Sequence, residues 1–457
     1  MKRTATLLVA SFVLAAVCNT GIAVAAGWKA GAGKANITPP TGMWMSGYAS
    51  RDHAAEGKLH DLWAKALVLE DAQGNRGAIV TLDLVGIDRQ LSEKVCQTLA
   101  DKHGLSRDQV ALCTSHTHTG PVVGGNLAAM YFLDSSQQQI VDDYAAKLPE
   151  LISDAVGSAL ESLAPAQLTT GIGQATFAVN RRNNPENDVP RLREEGKIVG
   201  PSDHDVPVLA VRDEAGKLKA VLFGYACHST TLSFYQWSGD YPGFAQIELE
   251  AAHPNAVALF WAGCGADQNP LPRRTVELAE QYGQRLAKAV DAVLESDMQP
   301  VAAELETSYA LIDLPFDRLP SRAELERQAG SDNRYEASRA KILLEQIDGG
   351  TPLSQTYPYP VQVWQLGESL LWITLGGEVV VDYALRLKTE LGEQTTWIAG
   401  YSNDVMAYIP SRRVLTEGGY EGGGAMVYYG LPTAWAPEVE KLIVDEVHRQ
   451  AKVLQSN

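Results

Sequence analysis

Short apolar runs that alternate with longer helical patterns constrain the fold of this chain more than any other feature of its sequence. The apolar runs predict strands at residues 64–69, 78–84, 110–113, 206–211, 218–226, 257–261, 361–365, 370–375 and 396–399. The helical periodicity predicts helices at 92–103, 137–163, 244–252, 276–294, 322–347, 379–391 and 437–453. Such an alternation is typical of layered α/β or α+β domains, and we predict an α/β fold in which a layered mixed sheet is flanked by helices.

Cap and turn signals set several element boundaries. Ser92 is predicted to cap the first helix, and Gly104 is predicted to end it. Pro149 is expected to kink or split the second helix, because proline removes a backbone donor and crowds the preceding turn. Residues 213–216 predict a hairpin turn. Residues 181–205 form the least patterned segment, and long loops in compact domains are usually functional or mobile.

The N-terminus has the pattern of a secretory signal peptide. Basic residues at 2–3 precede an apolar stretch at 7–17, and a small-x-small cleavage site follows at 23–25. We therefore predict a signal peptide at 1–25 and one exported domain at 26–457, in a secreted or periplasmic protein. The apolar stretch is too short for a comfortable membrane span, and no other segment is long enough.

The charge balance limits the classes of partner. The chain has 38 Lys and Arg against 55 Asp and Glu, a formal net charge of −17. So acidic a protein repels phosphate backbones, which argues against nucleic acid as a partner. The sequence also lacks a basic amphipathic stretch that would hold it on an anionic membrane. We expect a small-molecule substrate and no stable membrane anchor; the oligomeric state stays open.

A pair of histidines follows the strand predicted at 110–113. His116 and His118 are separated by one residue, and side chains at i and i+2 of an extended segment point to the same side. The Gly120-Pro121 pair then turns the chain and leaves both rings at an exposed mouth. On its own the motif fits either a hydrogen-bonded pair or a catalytic or metal site.

Other polar residues follow other predicted strands in the same way. His228, Gln268, Glu378 and Tyr408 each come after an apolar run, and a glycine pair precedes Glu378. Ligands of open α/β sheets bind beyond the carboxyl ends of the strands, so these loops are expected to meet at one edge. Two histidines and a carboxylate form a common catalytic zinc set. The alternatives are a strand-end histidine for His228 and a first-turn helix acid for Glu378.

These motifs resemble the catalytic domain of the neutral/alkaline non-lysosomal ceramidases, zinc amidases that cleave N-acylsphingosine. The resemblance extends over nearly the whole chain after the leader, and its most specific parts are residues 115–121, 227–228, 239–243, 377–378 and 420–423. It implies that Zn²⁺ is bound by His116, His228, Glu378 and Tyr408. It also implies substrate or transition-state roles for His118, Arg181 and Tyr420.

The sequence departs from the family pattern in two respects. Gln268 takes the place of the family's pocket serine, so we expect it to affect substrate choice, and the chain resembles a short form without the C-terminal β-sandwich. In amide hydrolysis a developing oxyanion needs donors, which His118, Arg181 and Tyr420 would supply. His118 would also carry a proton to the leaving amine. Arg182, beside Arg181, is the alternative for that role.

The cysteines outside the leader are Cys96, Cys113, Cys227 and Cys264. Four cysteines allow three pairings, and the sequence does not choose among them. Cys113 and Cys227 each lie within three residues of a predicted ligand, and we expect them to be packed thiols that do not bind the metal.

The leading prediction is an exported zinc-dependent hydrolase of N-acyl amide bonds that acts on a lipid-like or N-acyl substrate. One alternative keeps the zinc but assigns an ester or another small substrate. The alternative from another class is a secreted binding protein that kept the scaffold without turnover. Catalysis is favoured, because a binding protein would not need Arg181, His118 and Tyr420 together.

Overall fold

The structure, a computed structural model, describes residues 27–455, so the predicted signal peptide at 1–25 lies outside the described residues. The longer strands are β1 Trp28–Asn36, β2 Trp63–Glu70, β3 Arg76–Leu82, β4 Val110–Thr114, β5 Ala164–Gln174, β6 Asp205–Asp213, β7 Leu218–Tyr225, β8 Val257–Ala262, β9 Leu305–Pro315, β10 Thr356–Leu366, β11 Leu370–Leu375 and β12 Thr396–Ala399. The longer helices are α1 Arg89–His103, α2 Ser135–Glu161, α3 Asp240–Ala252, α4 Val276–Leu294, α5 Arg322–Gln328, α6 Arg334–Asp348, α7 Val381–Leu391 and α8 Val439–Leu454.

The longer strands form two mixed sheets. The larger sheet has the order β8-β7-β6-β5-β1-β2-β3-β4, and Gln299–Pro300 adds a short strand beside β5. Its outer pairs β3–β4 and β7–β8 are parallel, and its inner pairs are antiparallel. The smaller sheet has the order β9-β10-β11-β12, and β11–β12 is its parallel pair.

The two sheets pack face to face, with helices on their outer sides. One buried cluster joins Trp261 of the larger sheet to Trp372 and Trp397 of the smaller one, so apolar side chains fill the space between the sheets. A second cluster packs α1 and α2 on the outer face of β1–β4, and a third packs α3 and α4 on β6–β8. A fourth packs α7 and α8 on the smaller sheet. This layered arrangement confirms the predicted fold class.

Several boundaries differ from the sequence-based expectation. The cap of α1 is Asp88, whose carboxylate accepts from the Leu91 amide, so the predicted cap Ser92 lies inside the first turn. Gly104 ends α1 in a left-handed conformation, as predicted. α2 continues through Pro149, because its apolar face is buried in the second cluster and this outweighs the lost backbone bond. The helix predicted at 322–347 is divided into α5 and α6, and Asn333 caps α6.

Three of the longer strands have no counterpart among the strands predicted from the sequence. β1 is rich in glycine and alanine, β5 is polar, and β9 is half-exposed along most of its length, so none shows a plain apolar run. The hairpin turn predicted at 213–216 does join β6 to β7. The four cysteines within 27–455 are buried and unpaired. In that part of the chain no helix is both long and apolar enough to cross a membrane.

Candidate active site

Loops that follow four strands bring the predicted metal ligands together. His116 follows β4, His228 follows β7, Glu378 follows β11, and Tyr408 follows β12. A backbone hydrogen bond of 3.1 Å, from the His118 amide to the Ser229 carbonyl, holds the loops after β4 and β7 side by side. The convergence at strand ends matches the expectation for ligand sites of α/β sheets.

The backbone near the ligands is unusual at two points. His116 has a φ of 56°, a left-handed conformation that costs about 1–3 kcal/mol in a residue with a side chain. Glu378 lies opposite Tyr408 in a short parallel strand pair. Before it, Gly377 has a φ of 72°, and a β-carbon there would lie 2.6 Å from the Ala407 carbonyl oxygen. The glycine therefore permits the close backbone approach that the sequence predicted at this position.

Three imidazoles and one carboxylate meet at a single point. The Nε2 atom of His116 lies 3.2 Å from that of His228 and 3.1 Å from that of His118. The Oε2 atom of Glu378 lies 3.2 Å from His116 Nε2 and 3.1 Å from His228 Nε2. The hydroxyl of Tyr408 lies 3.3 Å from His228 Nε2. His116, His228 and Glu378 are almost fully buried.

The outer contacts of the rings fix their tautomers. His116 Nδ1 lies 2.5 Å from the Val85 carbonyl, and His228 Nδ1 lies 2.9 Å from the Gly265 carbonyl. A carbonyl only accepts, so both Nδ1 atoms carry a proton, and in their neutral form the two rings direct Nε2 lone pairs at each other. The same lone pairs face Glu378 Oε2, which is buried and has no hydrogen-bond donor. The Tyr429 hydroxyl donates to the other oxygen of Glu378.

The electrostatics favour the neutral form of His118 and His228 and the charged form of Glu378. Burial lowers the pKa of His118 well below its ordinary value, and the nearby His116 and His228 lower it further. Burial, followed by the charge of Arg181, lowers the pKa of His228 to about 4. Burial alone would raise the pKa of Glu378, but its contacts with the imidazoles of His116 and His228 hold that pKa well below the ordinary value. These are the protonation states in which such groups bind metals.

A divalent metal fits this donor set. Ligand atoms of a tetrahedral zinc site are about 3.3 Å apart when each lies 2.0–2.1 Å from the metal. The separations among the Nε2 and Oε2 atoms fall close to that figure. The cluster of His116, His118 and His228 could itself hold a metal. The geometry thus offers Glu378 or His118 as the third ligand beside His116 and His228.

Arg181 connects the imidazole–carboxylate cluster to a network of polar groups. Its guanidinium donates to the Tyr408 hydroxyl over 3.1 Å, to Glu421 over 2.8 Å and to the Asn269 side chain over 3.3 Å. Burial would lower the pKa of Arg181, but Tyr408 and Glu421 raise it well above its ordinary value. The side chain therefore stays charged beside the cluster.

Arg182 has a different position. It donates to Glu421 over 2.7 Å, to Glu417 over 3.0 Å and to the Gly418 carbonyl over 3.1 Å. These contacts hold the loop that carries Tyr420. Of the two adjacent arginines, Arg181 is therefore the one that contacts the cluster, and Arg182 braces the loop.

The cluster opens into a cavity of about 700 Å³. The predicted site residues that line it are His118, Arg181, His228, Tyr408 and Tyr420. Tyr420 is 44% exposed, and its ring lies 5.2 Å from that of Tyr408. The guanidinium of Arg181 lies 5.7 Å from both rings. The His118 Nδ1 atom is buried without a hydrogen-bond partner.

Gln268 is placed away from this cavity. Its side chain is fully buried, accepts from the Asp203 amide over 3.1 Å and donates to the Ala226 carbonyl over 2.5 Å. The backbone carbonyl of Gln268 accepts a hydrogen bond from the His228 amide over 2.9 Å. The structure therefore does not bring the Gln268 side chain together with the other predicted site residues, and the residue supports the His228 loop instead.

Sequence reasoning missed three groups at the site. Tyr429 holds Glu378, Glu421 holds Arg181, and the Tyr401 ring lies 4.3 Å from the His116 ring. Glu421 lies in the motif at 420–423, so its position beside Tyr420 was a usable signal. The local sequence around Tyr401 and Tyr429 carries no such signal.

The fold and the site define a class: a layered α/β protein with a buried imidazole–carboxylate cluster, able to hold a metal, at the base of an open polar cavity. Within that class the chain belongs to the neutral/alkaline non-lysosomal ceramidase family. The model of the family's N-terminal domain matches residues 28–269, and membership makes the protein a ceramidase-like hydrolase.

Relatives of this chain include several proteins named neutral ceramidase. The one from Pseudomonas aeruginosa is 26% identical over 539 residues, which cover 97% of this chain and 75% of that protein. The one from Drosophila melanogaster is 27% identical over 241 residues, which cover 51% of this chain but 34% of that protein. This chain thus aligns with about a third of the Drosophila protein.

Solved structures show the same fold. The crystal structure of neutral ceramidase from Pseudomonas aeruginosa gives a TM-score of 0.71 at 22% identity and covers 92% of this chain and 73% of that one. A second structure, of a ceramidase complexed with C2, also gives a TM-score of 0.71, at 19% identity, with 93% of this chain and 75% of that one covered. At these identities the likeness concerns the fold alone.

Proposed function

We propose that this protein is an exported, zinc-dependent amidohydrolase that cleaves N-acyl amide bonds. The observation that carries the proposal is the meeting of His116, His228 and Glu378, whose Nε2 and Oε2 atoms lie 3.1–3.2 Å from one another. A cation between these atoms would be bound by all three, and zinc suits two imidazoles and a carboxylate. The family, whose relatives are named neutral ceramidases, supports the amide bond as the target. The leader pattern at 1–25 supports export.

The proposed ligands are His116, His228 and Glu378, with Tyr408 as a nearby or weak fourth ligand. The first two have their Nδ1 atoms bound to carbonyls, as metal-binding histidines almost always do. His118 differs, because its Nδ1 atom has no partner and its ring lines the cavity. His118 is therefore free to exchange a proton, and we assign it to catalysis.

The reaction adds water across the amide. When bound, zinc would polarise the amide carbonyl and lower the pKa of a water molecule to about 7. The water oxygen bonds to the carbonyl carbon, the C–N bond breaks, and a water proton reaches the leaving nitrogen. His118 carries that proton, since it is neutral at pH 7 and lies beside the metal ligands.

Arg181 and Tyr420 stabilise the charge that develops on the carbonyl oxygen. Arg181 is held in place by Glu421 and Asn269, so little reorganisation is needed when the charge appears. Tyr420 lies over Arg181 at the open side of the cavity, where a substrate enters. The donors of Arg181 are therefore fixed before the reaction, which is the property that lowers a barrier.

The test is hydrolysis of a panel of N-acyl amides, ceramide included, by the purified protein with zinc and after chelation. We expect turnover of at least one amide that is lost on chelation and restored by zinc. His116→Ala and His228→Ala should lose both bound zinc and turnover. His253→Ala is the matched control, because His253 pairs with Asp291 away from the cavity.

Two outcomes would contradict the proposal. One is a full zinc content in the His116→Ala/His228→Ala double variant, measured by elemental analysis. The other is turnover that survives complete removal of metal. Export is tested separately, by sequencing the N-terminus of the exported protein, which should begin near Ala26 or Gly27.

A further inference from the structure

The cavity above the imidazole–carboxylate cluster is lined by more arginines than acidic residues, although the protein as a whole is acidic. Its lining includes four arginines and three glutamates, which leaves one positive charge in excess: Arg181, Arg182, Arg273, Arg274, Glu186, Glu417 and Glu421. The whole chain has a formal net charge of −17. A site entrance with excess positive charge raises the local concentration of anionic ligands.

Arg274 is the arginine that accounts for the excess. Arg181 and Arg182 pair with Glu421, and Arg273 pairs with Glu186 over 2.6 Å. Within the described chain, Arg274 has no acid within ion-pair distance. Its guanidinium therefore keeps donors free for a group that enters the cavity.

The position of Arg274 is fixed by its surroundings. Its backbone is left-handed, with a φ of 95°, and its amide donates to the Thr231 carbonyl over 2.7 Å. The guanidinium donates to the Tyr48 hydroxyl over 3.2 Å and lies 5.3 Å from that ring. Tyr48 in turn donates to the Leu232 carbonyl over 2.9 Å. An exposed arginine held in this way differs from a freely moving surface charge.

Tyr48 also indicates which end of a substrate would meet Arg274. The Tyr48 ring lies 4.8 Å from the His118 ring, so Arg274 is on the His118 side of the cavity. Arg181 and Tyr420 lie on the side where Tyr408 contacts the cluster. In the proposed reaction His118 carries a water proton to the leaving nitrogen, so the amine half of the substrate faces Arg274.

The rest of the lining offers little to a hydrocarbon chain. The described lining contains one large aliphatic side chain, that of Leu271, and the rings of Tyr48, Tyr408 and Tyr420. Binding of a long acyl or sphingoid tail depends on burial of many methylene groups against apolar surface. The lining fits polar groups better.

We infer that the preferred substrate is an N-acyl amide whose leaving amine carries an anionic group, such as a carboxylate, and that Arg274 binds this group. The inference rests on the proposed amidohydrolase function and narrows its substrate class. A carboxylate at this point would accept charge-assisted hydrogen bonds from the free donors of Arg274.

The test compares two substrates that differ in one group: N-octanoyl-serine, with a carboxylate, and N-octanoyl-serinol, with a hydroxymethyl group in its place. For the zinc-loaded protein we expect kcat/KM to be about tenfold higher for the carboxylate substrate. Arg274→Gln and Arg274→Asn should remove that preference and leave the serinol substrate within about twofold. Asparagine tolerates a left-handed backbone, so the second variant guards against misfolding.

Arg322→Gln is the control, because Arg322 is an exposed arginine of α5 away from the cavity lining. Titration calorimetry with the non-hydrolysable N-octylsulfonyl analogues of both substrates gives a readout without turnover. Equal affinity for the two analogues, or a preference that both Arg274 variants retain, would overturn the inference while amidase activity remained. Absence of turnover on every amide would instead overturn the proposed function and this inference together.

Discussion

Removal of the Tyr429 hydroxyl tests how the proposed metal site is supported. That hydroxyl donates to one oxygen of Glu378, while the other oxygen faces the Nε2 atoms of His116 and His228. Tyr429→Phe keeps the ring and removes the donor. Glu378 then loses the contact that orients it toward the cluster, and a buried carboxylate oxygen is left without a donor.

The expected magnitude follows from the burial of this pair. Loss of a group that orients a metal ligand typically weakens metal affinity about 10- to 100-fold. That range corresponds to about 1.4–2.7 kcal/mol. An unsatisfied buried acceptor costs about 1–3 kcal/mol, which is a similar amount. Tyr429 and Glu378 are both buried, so solvent cannot replace the lost donor and we expect the full effect.

The assay is zinc competition against a chelator of known affinity, with unfolding monitored in parallel. Tyr144→Phe is the matched control, because the buried Tyr144 hydroxyl donates to the Ile37 carbonyl over 2.6 Å, away from the cavity. Both variants should lose about 1–3 kcal/mol of stability. Only Tyr429→Phe should bind zinc more weakly. A zinc dissociation constant within twofold of wild type in a folded Tyr429→Phe protein would refute the reasoning.

Three further predictions concern other parts of the site. Arg181→Ala should lower kcat about 10²- to 10³-fold with zinc content unchanged, as kinetics beside elemental analysis would reveal; an unchanged kcat would place the oxyanion donor elsewhere. Gln268→Ser should lower the free energy of unfolding by about 1–3 kcal/mol in a denaturant titration, because the bonds to Asp203 and Ala226 are lost, and a shift in substrate preference without destabilisation would contradict this. Cys113 should label slowly with a thiol reagent in native protein at pH 8, since burial raises its pKa to about 12, and rapid labelling would argue against a packed thiol.

The local pattern of the sequence was sufficient for the layers and the first ligands. Strand and helix periodicity depends on residues a few positions apart, so the α/β class and all nine predicted strands could be read from it. The spacing of His116 and His118 at a strand end indicated a site for the same reason. The same strand-end reasoning indicated His228, Glu378 and Tyr408, the resemblance implied that they bind the metal, and the fold brings them to the same point.

Other features depend on contacts between distant parts of the chain. Arg181 and Arg182 are neighbours with similar sequence signals, and only the position of Tyr408, 227 residues from Arg181, separates their roles. Gln268 follows a predicted strand as a site residue would, but the fold turns its amide into the interior. Tyr429 is 51 residues from Glu378 and has no local signal at all. Periodicity and motifs determine which residues lie at strand ends, whereas the packing of loops from two facing sheets decides which side chains meet and what each one contacts.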